Sequence, residues 1–152
     1  MKEPDGSESG EIEERYKDNN LAKIGRYDFL ITYLLSEGRI EEAKELYNSR
    51  GRKDFYTDFF RKHCEIAADA CEELEDIEGA IYFNSIGAAR YEESDPRIAA
   101  AFCVRMGDIE RAARNLERAR QYDIAAEMFR DLGDDRRADE DELLAKLFQI
   151  QP

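Results

Sequence analysis

Residues 98–112 read IAAAFCVRMGDIERA, and the same text returns as IAADACEELEDIEGA at 66–80 and as IAAEMFRDLGDDRRA at 124–138. Five columns are identical in all three: Ile66/Ile98/Ile124, the two Ala columns that follow, Asp76/Asp108/Asp134 and Ala80/Ala112/Ala138. Two more keep their size or character, Cys71/Cys103/Phe129 and Leu74/Met106/Leu132. A fainter copy, FLITYLLSEGRIEEA at 29–43, keeps Gly38, Ile40 and Ala43 in the corresponding places. Such self-similarity marks one supersecondary unit used four times, with 37, 32 and 26 residues between the closing Ala43, Ala80, Ala112 and Ala138.

Each unit reads as a helix, a tight turn and a second helix. In the second copy Phe60, Cys64, Ala67, Ala68, Cys71 and Leu74 recur at three- and four-residue steps, which places them on one helical face. The turn follows at Glu75-Asp76, and in the third copy at Gly107-Asp108. Gly ends a helix in the left-handed conformation, and Asp accepts the free N–H groups of the next one. Asp95-Pro96 is a further start signal, with Asp as cap and Pro in the first turn. The spacing predicts eight helices, at about 20–37, 40–50, 54–75, 77–93, 96–106, 109–121, 123–132 and 135–148. No stretch alternates with period two, so the expected class is all-α. Residues 1–18 read as a flexible acidic tail, with room for a short helix near Ile12 to Tyr16. A repeat domain then covers 19–152, in units of about 20–50, 54–93, 95–121 and 122–148.

Charge narrows the function. The 152 residues carry 36 acidic against 23 basic side chains, a net charge of −13, which disfavours nucleic acid and anionic membrane as partners. No apolar run reaches the ~18–20 residues a membrane span needs. The opening MKEPDGSESG lacks the apolar core of a signal peptide. The three cysteines, Cys64, Cys71 and Cys103, sit in apolar helical text, so a reducing, cytoplasmic location is expected.

Catalysis has little support. The single His63 neighbours Cys64 and diverges from it by ~100° around a helix, whereas metal ligands on helices sit three or four residues apart. Cys71 and Cys103 share a column with Phe129 and Leu34, which marks a packing position. The acidic runs 72–78 and 134–142 read as solvated helix faces. With no phosphate-binding Gly loop and no Ser-His-Asp set, no catalytic residue, metal or cofactor is expected.

The pattern resembles the tetratricopeptide repeat family. The strongest match is GDIERAARNLERA at 107–119, with its Gly-Asp turn, Ala112, Leu116 and Ala119. The small residue which that family keeps within its first helix corresponds to Ala68, Ala100 and Ala126. Departures are the bulky Ile31 at the small site of the first copy, the short 26-residue interval, and Glu142 where a large apolar residue is usual. The resemblance covers about residues 23–145. It implies a right-handed α-α superhelix, a solenoid of about four helix-turn-helix units, acting as a non-catalytic adaptor or scaffold. Its concave groove would be lined by Lys62, Glu65, Asp69 and Glu72, by Arg97, Ala101 and Val104, and by Arg120, Asp123, Glu127 and Arg130. Acids dominate the second copy and arginines mix in later, so the expected partner is a protein or peptide with a basic or mixed-charge segment.

One stretch escapes the register. DFYTDFFRKHC at 54–64 lengthens the first helix of the second copy and carries Phe55, Tyr56, Phe59 and Phe60 as a wide aromatic stripe. Burial against the first repeat is the default. An overhanging helix would instead expose a contact patch, so self-assembly through this stripe or an end face, as a homodimer, is the alternative function.

Overall fold

The computed structural model describes residues 7–150, which contain helices and turns but no strand. In chain order the helices are α1 (Ser7–Tyr16), α2 (Asn20–Lys23), α3 (Tyr27–Ser36) and α4 (Ile40–Leu46), then α5 (Asp58–Lys62), α6 (Cys64–Glu73) and α7 (Ile77–Tyr91). They continue as α8 (Pro96–Arg105), α9 (Ile109–Arg118), α10 (Tyr122–Asp131) and α11 (Asp135–Ile150). Between α4 and α5 the chain makes a π-helical turn, Tyr47–Gly51, and a 3-10 turn, Arg52–Phe55. Two compact units result, one ending at Ala80 and the other beginning at Ile81.

The repeated turns share one hydrogen-bond pattern. In the third copy the Gly107 N–H donates to the Val104 carbonyl at 3.0 Å and the Asp108 N–H to the Cys103 carbonyl at 2.9 Å. The pair recurs as Glu75 to Glu72 and Asp76 to Cys71, and as Gly133 to Arg130 and Asp134 to Phe129. This double bond around a left-handed residue satisfies the last carbonyls of the helix. Gly38, Gly107 and Gly133 supply that conformation, but Glu75 (φ 61°) and Arg120 (φ 60°) adopt it too. The side chains of Asp108 and Asp134 then accept from the N–H groups of Arg111 and Arg137, each at 3.2 Å, and cap the next helix. Asp95 does the same for α8 through Ile98.

The sign of two substitutions follows. Nothing lies within 4 Å of a Cβ built at Gly107, so Gly107→Ala should cost only the left-handed backbone term, about 1 kcal/mol. Glu75→Gly relieves that term and gives up an exposed 3.2 Å pair with Lys44, so it should gain about 0.5 kcal/mol. Urea unfolding of both variants checks this; equal signs would refute it.

In the first unit the largest fully buried side chains are Ile12, Leu30, Ile31, Leu34, Leu46, Tyr47, Phe55 and Phe60. The expected flexible tail needs correction over its helical part. α1 begins at Ser7 and packs on α4, because Ile12 and Tyr16 bring two apolar surfaces to one face. Tyr16 donates to the Glu42 carboxylate, which also accepts from Arg39 at 2.7 Å. These bonds, Arg39's first, hold the Glu42 carboxyl down at about 2. Residues 1–6 of the expected tail and the last two of the expected repeat domain lie outside the described residues.

The expected helix over 54–75 is broken twice. Thr57 is extended (φ −108°, ψ 165°) and opens α5, and His63 (φ −112°, ψ 49°) separates α5 from α6. Gly51 closes the π-helical turn directly over Ile31, where any Cβ would run into the Ile31 side chain. The turn therefore needs glycine for close approach rather than for backbone freedom.

In the second unit α8 packs on α9, α9 on α10 and α10 on α11. The repeated Ala columns are buried there: Ala99, Ala100, Ala112, Ala125, Ala126 and Ala138. Small side chains at these places let neighbouring helices approach closely. The repeated Ile column behaves differently, since Ile66, Ile98 and Ile124 all stand exposed despite their identity.

Candidate functional site

All eleven expected groove residues are exposed. In the first unit Glu65, Asp69 and Glu72 follow one face of α6, while Lys62 sits on α5 across the break at His63. In the second unit Arg97, Ala101 and Val104 follow one face of α8, and Asp123, Glu127 and Arg130 hold the same columns on α10. Arg120 occupies the turn between α9 and α10, its guanidinium 5.0 Å from the Phe148 ring centroid.

Three of these residues meet around a cavity. A cleft of about 560 Å³ between α10 and α11 is lined by Asp123, Glu127, Arg130 and Asp131 on one wall, and by Glu142, Lys146 and Gln149 on the other. Arg130 is committed across it, donating to Glu142 at 2.7 Å and to Asp139 at 3.0 Å. Those bonds raise the Arg130 guanidinium pKa, Asp139's contribution first. Glu142, the residue that broke the apolar pattern of the last helix, is thus one of the anchors of Arg130. Asp123, Glu127 and Asp131 make no ion pair among the described residues. The cleft consequently presents three uncompensated carboxylates on one wall and a single free ammonium, Lys146, on the other.

The aromatic stripe is largely core. Phe55 and Phe60 are 0% and 1% exposed and stack with centroids 4.8 Å apart. Phe59 keeps 41% of its surface exposed while meeting Phe29 edge-on at 5.1 Å. Tyr56 is half-buried. Of the four residues of the alternative overhanging patch, Phe55 and Phe60 are thus core, as the default burial has it, and only Phe59 stays largely exposed, because the breaks at Thr57 and His63 fold the segment back.

Cys64, Cys71 and Cys103 are free thiols, all buried. Burial pushes the Cys71 thiol up to about 12, and it raises Cys103 as well, which leaves both protonated and unreactive at neutral pH. Among the described residues no three His, Cys, Asp or Glu side chains converge on a metal position. No described helix is long and apolar enough to cross a membrane.

Three features escaped the sequence reading. Asp76, in the second copy's cap column, accepts from the buried Tyr47 hydroxyl at 2.5 Å as well as from the Gly79 N–H at 3.0 Å. Desolvation and that bond raise the Tyr47 pKa. Gly79 leaves the room, since a Cβ there would lie 2.8 Å from the Cys71 sulfur. Asp141, inside an acidic run, is only 1% exposed, and neither of its carboxylate oxygens has a hydrogen-bond partner. The third is a cleft of about 460 Å³ lined by Tyr47, Asn48, Ser49, Arg50, Arg52, Lys53 and Tyr56. The sequence did carry a hint of Asp141, which shares a face with Ala138 and Ala145 at helical spacing.

No family model matches the chain, and neither does any curated protein or solved structure.

Proposed function

We propose that the chain is a tetratricopeptide-like array of helical hairpins, a right-handed superhelix that works as a non-catalytic, cytoplasmic adaptor. Its partner is a protein segment carrying Lys or Arg. The observation that carries this reading is the α10/α11 cleft, where Asp123, Glu127 and Asp131 line one wall without ion pairs. A cationic side chain entering it finds three carboxylates outside any ion pair against the single ammonium of Lys146, in a concavity where solvent screens less than on an open face. Recurrence of the turn hydrogen bonds through the copies supports the repeat reading.

A fluorescently labelled Lys/Arg-rich decapeptide should bind the full chain saturably, and more weakly as salt rises. The charge reversal Asp123→Lys/Glu127→Lys should weaken it at least about 10-fold, the size expected when like charges replace attraction. No binding, or binding indifferent to the reversal, would sink the adaptor reading. Self-assembly through an end face is the second reading, favoured by Leu143 and Leu147 on α11, 59% and 49% exposed. It requires a sedimentation mass that rises with concentration and returns to that of a monomer in Leu143→Ser/Leu147→Ser.

A further inference from the structure

We propose that the cleft formed by the π-helical turn Tyr47–Gly51 and the 3-10 turn Arg52–Phe55 is a binding site for a phosphate monoester. It lies in the first unit and shares no residue with the acidic cleft of the second.

The charge arrangement is the first argument. Arg50, Arg52 and Lys53 fall within four residues and line one cavity of about 460 Å³ that no carboxylate lines. In a chain with 36 acids against 23 bases, a cation usually has a carboxylate nearby: Arg15, Arg26, Arg39, Arg61, Arg111 and Arg130 all form ion pairs. Arg50 and Lys53 form none among the described residues, although Asp54 of the same turn feels the charge of both, and Arg52 pairs with Asp76 at 3.5 Å. Asp76 is itself engaged by the Tyr47 hydroxyl at 2.5 Å and by the Gly79 N–H. Arg50 rests its guanidinium 5.0 Å from the Tyr27 ring centroid, a contact that orients the group without neutralising it.

Backbone and shape are the second argument. Two successive departures from α-helical geometry place Arg50, Arg52 and Lys53 around one concavity, whereas a continued α-helix would keep Arg50 and Lys53 on one face and turn Arg52 away from them. Such π-helical insertions are frequent at functional sites. Two guanidinium forks and an ammonium still exceed what Asp54 and Asp76 use, and they match a dianion with three acceptor oxygens. The cavity is larger than a phosphate, and the half-buried Tyr56 in its lining offers a surface for the organic part of an ester. A phosphorylated small molecule and a phosphorylated side chain of another protein share this chemistry.

The test is an NMR titration of the full chain with inorganic phosphate, free phosphoserine and a phosphoserine heptapeptide, at constant ionic strength. Both esters should give saturable shifts confined to residues 47–56, tighter than inorganic phosphate, and weaker below about pH 6 where the dianion protonates. Arg50→Gln/Lys53→Gln, two exposed positions, should weaken binding at least 10-fold while the helical circular dichroism is unchanged. Arg97→Gln should leave it unaltered. A peptide tighter than free phosphoserine assigns the site to a phosphorylated protein, and equal affinities assign it to a small molecule. Shifts that fail to saturate, inorganic phosphate binding as well as the esters, or undiminished binding by the double variant would each overturn the proposal.

Discussion

Asp141→Asn should be more stable than the parent chain at pH 8, by about 2–3 kcal/mol, and no more stable at pH 4. The carboxyl is 1% exposed and neither oxygen is hydrogen-bonded, so ionising it leaves a buried charge without a partner. Burial raises its pKa from 3.8 to about 7; the Glu117 carboxylate on α9 adds to this, as does Glu140 on α11, while Arg137 opposes. Arg137 also pairs with Glu110 at 3.6 Å, which divides its charge. The folded chain holds this proton more tightly than the unfolded one. The resulting stabilisation is complete below pH 3.8 and fades as pH rises through about 7. Glu42 works in the opposite direction: it is held at about 2, so its contribution is present above its ordinary 4.5 and lost as pH falls toward 2. Stability should therefore peak between these ranges, at mildly acidic pH. Thermal melts of parent and variant from pH 4 to 8 read the effect, and for a chain this size the gain at pH 8 is about 4–12 °C. A melting difference that does not change with pH would show that the carboxyl ionises freely in the fold.

The cap column gives the second large effect. Asp76, Asp108 and Asp134 are one column of the repeat, yet Asp76→Ala should cost about 2–4 kcal/mol and the other two about 1 each. All three accept the N–H of the residue three positions on, at 3.0 to 3.2 Å. Only Asp76 also accepts from a buried tyrosine, and removing it leaves the Tyr47 hydroxyl without its carboxylate in the core of the first unit. Tyr47→Phe should cost about 1 kcal/mol by itself and almost nothing further once Asp76 is Ala. Urea unfolding of the three alanine variants and the double variant gives the comparison. Equal losses along the column would mean that the Tyr47 bond contributes nothing.

What the sequence made legible was whatever depends on neighbours along the chain. Gly107-Asp108 and Asp95-Pro96 announce their turns because ending one helix and capping the next are local acts. The Ala columns announce close approach for the same reason, since size alone decides it. The break at Thr57 was hidden because its causes are distant: Gly51 must pass over Ile31, and Phe55 must find Phe60. Thr57-Asp58 is a serviceable helix start, but the aromatic run around it reads equally well as one unbroken helix. The expected groove columns are exposed, as their positions on α6, α8 and α10 require. Which of them share a cavity depended on Glu142 reaching back to Arg130, a contact between residues 12 apart. Asp141 stayed hidden because an acid among acids looks solvated, and only burial distinguishes it from Glu140 and Glu142.

The turn hydrogen bonds bear on how quickly the chain finds its structure. In the second unit the principal packing partners follow one another directly: α8 with α9, α9 with α10, and α10 with α11. Little loop entropy is lost before such contacts form, which is the circumstance under which helical proteins fold in microseconds to milliseconds. The first unit must bring α1 back to α4 and α3 across the irregular turns to α6, so its search is longer. On a growing polypeptide the slower half emerges first and has the time in which the faster half is still being made.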